Sequence, residues 1–157
     1  MSPKNLAFFS TAGLVLILDQ ATKYLAARFL DPLRPLTLIE GLLNLSYLRN
    51  RGAAFGLLAD MDASLRIPIF LGVTVVAFFL LWRYFRRIPK GEVYLPATVA
   101  LIFAGAVGNL MDRIRSGEVI DFIDLHLRSY HWPAFNLADM SITAGAALLI
   151  LHLIRKG

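Results

Sequence analysis

Four long apolar runs divide the chain, at about residues 6–29, 67–85, 95–111 and 137–154. Each run is close to the roughly 20 residues that a helix needs to cross the hydrocarbon core of a membrane. Together the runs take up most of the 157 residues, so no independent soluble domain fits beside them. The pattern therefore predicts a single all-α membrane domain over residues 1–157, built as a four-helix transmembrane bundle.

Breaking and capping residues mark the ends of these predicted helices. Pro32 follows the first run and ends its helix. Pro68 and Pro96 stand at the starts of the second and third runs, where proline is tolerated in a first helical turn. Asn136 directly precedes the fourth run and is suited to cap it.

The connections between the runs differ in their periodicity. Residues 43–47 alternate apolar and polar side chains, which is typical of a β-strand, and residues 50–52 read as a turn. We expect a small extracytoplasmic β element there, with a short interfacial helix as an option for residues 57–65. Residues 113–136 form a charged connection that we expect to be a loop.

Positive charge is concentrated in the short segments at one side of the predicted bundle. Dense Lys and Arg in short loops marks the cytoplasmic side of a membrane, so both termini are expected in the cytoplasm. The net charge of +5 then follows from topology, and no nucleic-acid partner is implied. These segments hold Lys4, Arg83, Arg86, Arg87, Lys90, Arg155 and Lys156.

The composition and the motifs that are missing exclude several kinds of chemistry. The chain has no cysteine, which rules out disulfides and thiolate nucleophiles. It has neither the His-Glu-x-x-His pair of a zinc protease nor a Gly-x-Ser-x-Gly elbow. His126, His131 and His152 are scattered, and we interpret the first two as interfacial residues rather than ligands. A Ser–Lys dyad on Lys23 is conceivable, but no serine has an obvious partner spacing.

The remaining reactive candidates are carboxylates, which are costly at membrane depth and therefore suggest function. Asp121 is flanked by apolar residues, although a solvated acid or a cap is an equal alternative. Asp139 begins the fourth run, where the helix dipole favours a negative charge, with a capping box as the alternative. The predicted outer side holds Asp19, Asp112, Asp121, Asp124 and Asp139.

Asp121 and Asp139 together suggest more than either does alone. They come from the end of one span and the start of the next, on one side of the membrane. Two carboxylates in a cleft of low dielectric constant do not both ionise easily, so one keeps a proton. A protonated and an ionised carboxyl are the pair needed for water to attack an amide. The sequence therefore predicts an acid pair that hydrolyses peptide bonds.

Five motifs in order resemble the sequence blocks of the bacterial lipoprotein signal peptidases, or signal peptidase II. They are Asp19-Gln20-x-x-Lys23, Asn50-Arg51-Gly52-Ala53-Ala54-Phe55-Gly56, Gly108-Asn109-x-x-Asp112-Arg113, Val119-x-Asp121-Phe122 and Phe135-Asn136-x-Ala138-Asp139. The resemblance covers essentially the whole chain. It implies an intramembrane aspartic endopeptidase of the inner membrane that cuts diacylglyceryl-modified prolipoproteins just before the lipidated cysteine.

The resemblance also implies roles for particular residues. Asp121 and Asp139 are the expected catalytic pair, and no metal or organic cofactor is implied. The expected partners are the lipidated substrates, membrane lipids and a globomycin-type inhibitor, with the enzyme a monomer and its site at the outer face. The supporting residues carried over are Asp19, Lys23, Asn50, Gly52, Asn109, Asp112, Arg113 and Asn136.

Contacts within this set can be hypothesised. Asp19 is expected to pair with Lys23, and Asp112 with its neighbour Arg113. Asn50 and Arg113 are suited to hydrogen-bond a substrate carbonyl, and Phe55 is suited to cover the cleft as a lid.

Two rival functions are open at this stage. A proton-coupled carrier or channel subunit would also place carboxylates in a membrane, but it predicts acids in the middle of the spans or on both sides of the membrane. The middles of the second, third and fourth runs carry no charge. A non-enzymatic assembly factor would use the polar blocks only to pack helices, and it predicts that substitution of Asp121 or Asp139 lowers stability.

Overall fold

The computed structural model describes residues 1–52, 57–127 and 130–156 of the chain. Four long helices carry the fold: α1 (Pro3–Phe29), α2 (Ala63–Arg87), α3 (Tyr94–Ser116) and α4 (Leu137–Lys156). All four are long and apolar enough to cross a membrane, and large apolar side chains cover their outer surfaces. The predicted four-helix membrane fold is confirmed.

Helix α3 packs against the other three helices and is the most buried of the four. Glycines let its neighbours approach closely. A Cβ atom on Gly108 would collide with the carboxylate of Asp19, and one on Gly105 would collide with Ser141 and with the backbone of Ala138. Small residues in such positions bring helix backbones together in membranes. The glycines of α3 therefore allow α1 and α4 to converge on its C-terminal half.

A four-stranded antiparallel sheet covers the end of the bundle where α3 ends and α4 begins. Its strands run in the order β1 (Leu36–Ile39), β2 (Leu43–Asn50), β3 (Val119–Leu127) and β4 (Tyr130–His131). The predicted strand at residues 43–47 is confirmed as part of β2. In the register of the central pair, Leu48 lies opposite Asp121.

The expectation of a loop in the connection after α3 was wrong for residues 119–127, which form β3. Acidic residues at 121 and 124 are three apart, so the segment lacks the strict alternation that reveals a half-buried strand. Its hydrogen bonds to β2, rather than its own pattern, make it a strand. The small β element is therefore larger than predicted.

Two helix boundaries also differ from the predictions. Residues 57–61 form turns, and α2 begins at Ala63, where the Asp62 carboxylate caps it by accepting a bond from the Ser64 N–H (3.0 Å). Pro68 therefore lies inside α2 rather than in its first turn. Pro96 does lie in the first turn of α3, as expected.

Candidate active site

A cavity of about 900 Å³ lies where the sheet meets α3 and α4. Asp121 on β3 and Asp139 in the first turn of α4 both line it. The two candidate acids therefore come together at one site although they belong to different elements. Four other predicted site residues line the same cavity: Asn50, Gly52, Asn109 and Arg113.

Asn136 joins the two aspartates. Its side-chain Nδ2 donates to Asp121 Oδ1 (2.7 Å), and its backbone N–H donates to Asp139 Oδ2 (3.2 Å). The Asp139 N–H donates in return to Asn136 Oδ1 (3.0 Å). This reciprocal pair is a capping box, so the expected N-cap is confirmed. Asn136 is fully buried. Its hydrogen bonds therefore hold both carboxylates in place through a single residue.

Asp121 lies in a setting that favours its protonated form. Its side chain is 2% exposed, and burial raises the pKa of this carboxyl to about 6. The nearby charge of Asp139 adds to the rise, whereas hydrogen bonds from Asn50 and Asn136 and the charge of Lys23 oppose it. Asn50 Nδ2 donates to Asp121 Oδ2 (2.9 Å). This carboxyl is therefore about half protonated near pH 6, where an aspartate with an ordinary pKa would be almost fully ionised.

Asp139 is oriented by a different set of contacts. Asn109 Nδ2 donates to Asp139 Oδ1 (2.8 Å), while Asn136 holds the other oxygen. Asn109 is itself fixed because its Oδ1 accepts from the Lys23 ammonium (2.9 Å). The side-chain amide of Asn109 therefore lies between the Lys23 ammonium and the Asp139 carboxylate and connects them through hydrogen bonds.

A buried ionic cluster lies behind the cavity. Lys23 Nζ contacts Asp19 Oδ2 (3.0 Å) and Asp112 Oδ2 (2.8 Å) in addition to Asn109. These partners use the three N–H groups of the ammonium. The expected pair of Asp19 and Lys23 is confirmed, and an amine engaged in this way is not available as the base of a Ser–Lys dyad.

Gln20 belongs to this cluster, although it was not among the predicted site residues. Its Nε2 donates to Asp19 Oδ2 (3.1 Å) and to Asp112 Oδ1 (3.2 Å). The remaining Asp19 oxygen accepts from the Ala138 N–H at the start of α4 (2.9 Å). Asp19 therefore positions the helix that carries Asp139. The position of Gln20 inside the first motif was the only signal for it.

The expected pairing of Asp112 with Arg113 was wrong. Consecutive residues point about 100° apart around a helix, so Asp112 faces Lys23 on α1 while Arg113 faces away from it. Arg113 Nη2 donates to the Gly52 carbonyl (3.0 Å), and its guanidinium lies 4.3 Å from the centre of the Phe70 ring. Arg113 thus holds the segment that follows β2.

The same contacts revise the hypothesis for Asn50. Besides donating to Asp121, Asn50 accepts from the Gly52 N–H through its Oδ1 (2.9 Å). Arg113, Gly52 and Asn50 therefore form a chain of contacts that ends on Asp121. Residues 53–56 lie outside the described residues, so the lid expected of Phe55 stays a prediction.

The histidines are less scattered than the sequence indicated. His126 on β3 and His131 on β4 are directly opposite each other, with ring centroids 4.9 Å apart. His131 Nδ1 lies 2.8 Å from Asp124 Oδ1. This cluster is on the sheet and does not line the cavity of the two aspartates.

Comparison with known proteins decides the family. Residues 11–155 match the family model described as "Signal peptidase (SPase) II". The chain belongs to the signal peptidase II family. Signal peptidase II enzymes are aspartic peptidases, so this chain is a membrane hydrolase of that class.

Similar proteins cover nearly the whole length of this signal peptidase II chain. A protein of Geobacter sulfurreducens named "Lipoprotein signal peptidase" is 50% identical over 141 residues, which cover 90% of this chain and 87% of the relative. One of the same name from Syntrophus aciditrophicus is 44% identical over 156 residues, covering 99% and 97%. A solved structure titled "Bacterial membrane enzyme structure by the in meso method at 1.9 A resolution" has a TM-score of 0.83 and 33% identity, covering 95% and 93%.

Proposed function

We propose that Asp121 and Asp139 are the catalytic pair of an endopeptidase that removes the signal peptide from prolipoproteins. The observation that carries the proposal is Asn136, which bonds both carboxylates at the wall of one cavity. Burial raises the pKa of Asp121 to about 6, so the pair can hold one proton between its two carboxyls at mildly acidic pH, near 6. This state is the one that aspartic peptidases use.

The reaction then needs only the two carboxyls and a water molecule. The ionised carboxylate accepts a proton from water as the water oxygen attacks the peptide carbonyl carbon. The protonated carboxyl donates its proton to the carbonyl oxygen, which gives a tetrahedral intermediate. In the second step one carboxyl gives its proton to the leaving nitrogen, while the other, now ionised, takes a proton from a hydroxyl group of the intermediate. The C–N bond breaks, the C=O bond of the new carboxyl group forms, and the pair again holds one proton.

The shape of the cavity favours an apolar substrate that is already in the membrane. Below Asp139, the cavity wall follows one face of α4 at Met140, Thr143, Ala144 and Ala147. These positions have the spacing of a single helix face. A lipid chain or an apolar signal helix can therefore lie along α4 with its polar end at the aspartates. We propose that the substrate carries a diacylglyceryl group and is cut just before the modified cysteine.

The catalytic proposal is tested with Asp121→Asn and Asp139→Asn in the purified full-length enzyme. Each variant should stay folded, with a melting temperature near that of the wild type, and should lose at least about 100-fold in cleavage of a lipidated precursor. Asp60→Asn is the matched control, because Asp60 is exposed and does not line the cavity. Retained turnover in either dyad variant would reject the pair, and unfolding of both would favour a packing role.

The substrate proposal needs two matched precursors, with and without the diacylglyceryl group. Cleavage should depend on the lipid, and globomycin should compete with the lipidated precursor for the cavity. Equal cleavage of both precursors would remove the lipid from the proposal while leaving the dyad intact. Gel filtration with light scattering in detergent should give a monomer.

The orientation in the membrane is a proposal that the missing cysteines make easy to test. We place both termini in the cytoplasm and the sheet outside, since the basic segments flank the other ends of the helices. In intact cells, an impermeant maleimide should label Leu33→Cys, which is 89% exposed next to the sheet. It should not label Gly91→Cys between α2 and α3. The opposite result would invert the topology.

A further inference from the structure

The hairpin of β3 and β4 presents three metal-binding side-chain types on one face. Asp124 and His126 are two residues apart on β3, so their side chains point to the same side of the sheet. His131 is the direct partner of His126 in the antiparallel register, and directly opposed residues also share a face. The strand geometry therefore brings two imidazoles and one carboxylate together.

Side-chain contacts hold these three residues close together. The imidazole rings of His126 and His131 are stacked at an interplanar angle of 15°, and His131 Nδ1 lies 2.8 Å from Asp124 Oδ1. One ligand atom from each of the three residues lies within 4.8 Å of the other two. Asn44 Nδ2 donates to the second Asp124 oxygen (3.3 Å), which fixes the carboxylate from the neighbouring strand β2.

One nitrogen in this cluster has no partner among the residues that the structure describes. His126 Nδ1 is buried and makes no hydrogen bond within the described part of the chain. A buried polar atom without a partner is unfavourable, and such atoms in folded proteins call for an explanation. The His126 ring therefore has a nitrogen that can still donate or accept a bond, and this ring lies beside the His131 imidazole and the Asp124 carboxylate.

We propose that Asp124, His126 and His131 bind a divalent transition-metal ion, with zinc as the preferred ion. Two imidazoles and a carboxylate are a common zinc ligand set, and water can take the fourth position. In a tetrahedral site, donors about 2.0–2.2 Å from one ion lie about 3.3–3.6 Å from each other, so ligand atoms that now lie within 4.8 Å of one another need a closure of about 1 Å. The His131 side chain, 53% exposed, is free enough to supply that movement.

Three protein ligands and a water are also the pattern of catalytic zinc sites, but the location of this site gives the ion a structural role. None of its three ligands lines the cavity of the aspartates, but the segment directly after β4 does, through Trp132, Pro133, Ala134 and Phe135. An ion that ties β3 to β4 would therefore stiffen one wall of that cavity. This inference does not depend on the roles assigned to Asp121 and Asp139.

Calorimetry on the purified full-length chain tests the site directly. The protein is prepared without a histidine tag, stripped with a chelator and titrated with zinc chloride in detergent. We expect one saturable site in the wild type. His131→Ala and His126→Ala should each weaken zinc binding by more than the roughly tenfold that loss of an outer-shell group already causes. His152→Ala, near the other end of α4, is the matched control and should bind like the wild type.

The outcome is decided by His131→Ala, because His131 is exposed and its loss should not unfold the protein. Wild-type protein without saturable zinc binding would overturn the proposal and leave an ordinary stacked histidine pair. Equal affinity in the wild type and His131→Ala would also overturn it. Magnesium, which prefers an all-oxygen shell, should not compete, and competition at equal concentration would contradict a nitrogen-containing site. Cobalt should give a tetrahedral visible spectrum that is absent from His131→Ala.

Discussion

The two ends of the helix bundle are held together by different chemistry. At the end away from the sheet, Phe8, Phe85 and Val99 belong to one apolar cluster, with the two phenyl centroids 4.5 Å apart. At the sheet end, the largest fully buried side chains are the carboxylate of Asp19 and the amide of Asn136. One end resembles a packed core, and the other is a polar network inside apolar surroundings.

This difference indicates what each end is for. Buried ions are costly, and replacing a whole buried ion cluster by apolar side chains is often neutral or stabilising. Stability alone therefore does not explain Lys23 between Asp19 and Asp112. The cluster does fix Asn109 and the first turn of α4, and through them it fixes Asp139. We interpret the sheet end as built to orient two acids and the opposite end as built to hold the helices.

Among the substitutions that test this difference between the two ends, Asp19→Ala is expected to have the largest effect on stability and activity. Loss of the Asp19 carboxylate leaves the Lys23 ammonium partly unpaired and removes the acceptor of the Ala138 N–H at the start of α4. Breaking a buried pair costs about 3–5 kcal/mol, so the melting temperature and the cleavage rate should fall together. Thermal unfolding in detergent and precursor cleavage are measured on the same preparation. Lost activity with an unchanged melting temperature would instead place Asp19 in contact with substrate.

A smaller and more selective effect is expected from Arg113→Lys. Lysine keeps the charge but lacks the planar guanidinium that holds the Gly52 carbonyl while lying over Phe70. We expect about a tenfold loss in kcat/KM, or about 1.4 kcal/mol, because Asn50 and hence Asp121 are less well fixed. The melting temperature should change little. Full activity in this variant would show that the Gly52 contact does not position the site.

The smallest effect on chemistry is expected at the apolar end. Val99→Ala removes a fully buried side-chain volume from the apolar cluster and should destabilise the fold by about 1–2 kcal/mol. Cleavage per folded molecule should stay at the wild-type value, because Val99 packs in the apolar cluster and does not line the cavity. A fall in kcat comparable with that of Arg113→Lys would mean that the two ends are coupled.

The spans and motifs of this fold could be predicted from the sequence because apolar length is a strong signal. Strand β3 could not, because Asp121 and Asp124 interrupt its alternation and its partner β2 is about 70 residues away in the chain. The same long-range pairing places Asn50 on Asp121. Local pattern therefore defined the helices but not the sheet that carries one of the two acids.

The side-chain partners depend on helix rotation, which the sequence does not specify. Asp19 and Lys23 are one turn apart on α1, so their pairing was predictable. Whether Asp112 or Arg113 faces α1 depends on how α3 packs, and the prediction chose the wrong partner. The pairing of His126 with His131 was equally hidden, because β4 contains only two residues.

The central claim is that Asp121 and Asp139 share one proton during catalysis, and the pH dependence of kcat/KM measures this most directly. Because kcat/KM reports the free enzyme, its profile with a lipidated precursor should be bell-shaped. The rate should fall as pH drops and both carboxyls become protonated. It should also fall as pH rises and the shared proton is lost, and burial of Asp121, which raises the pKa of that carboxyl to about 6, moves this limb towards neutral pH. A rate that stays constant across both limbs would contradict the shared proton.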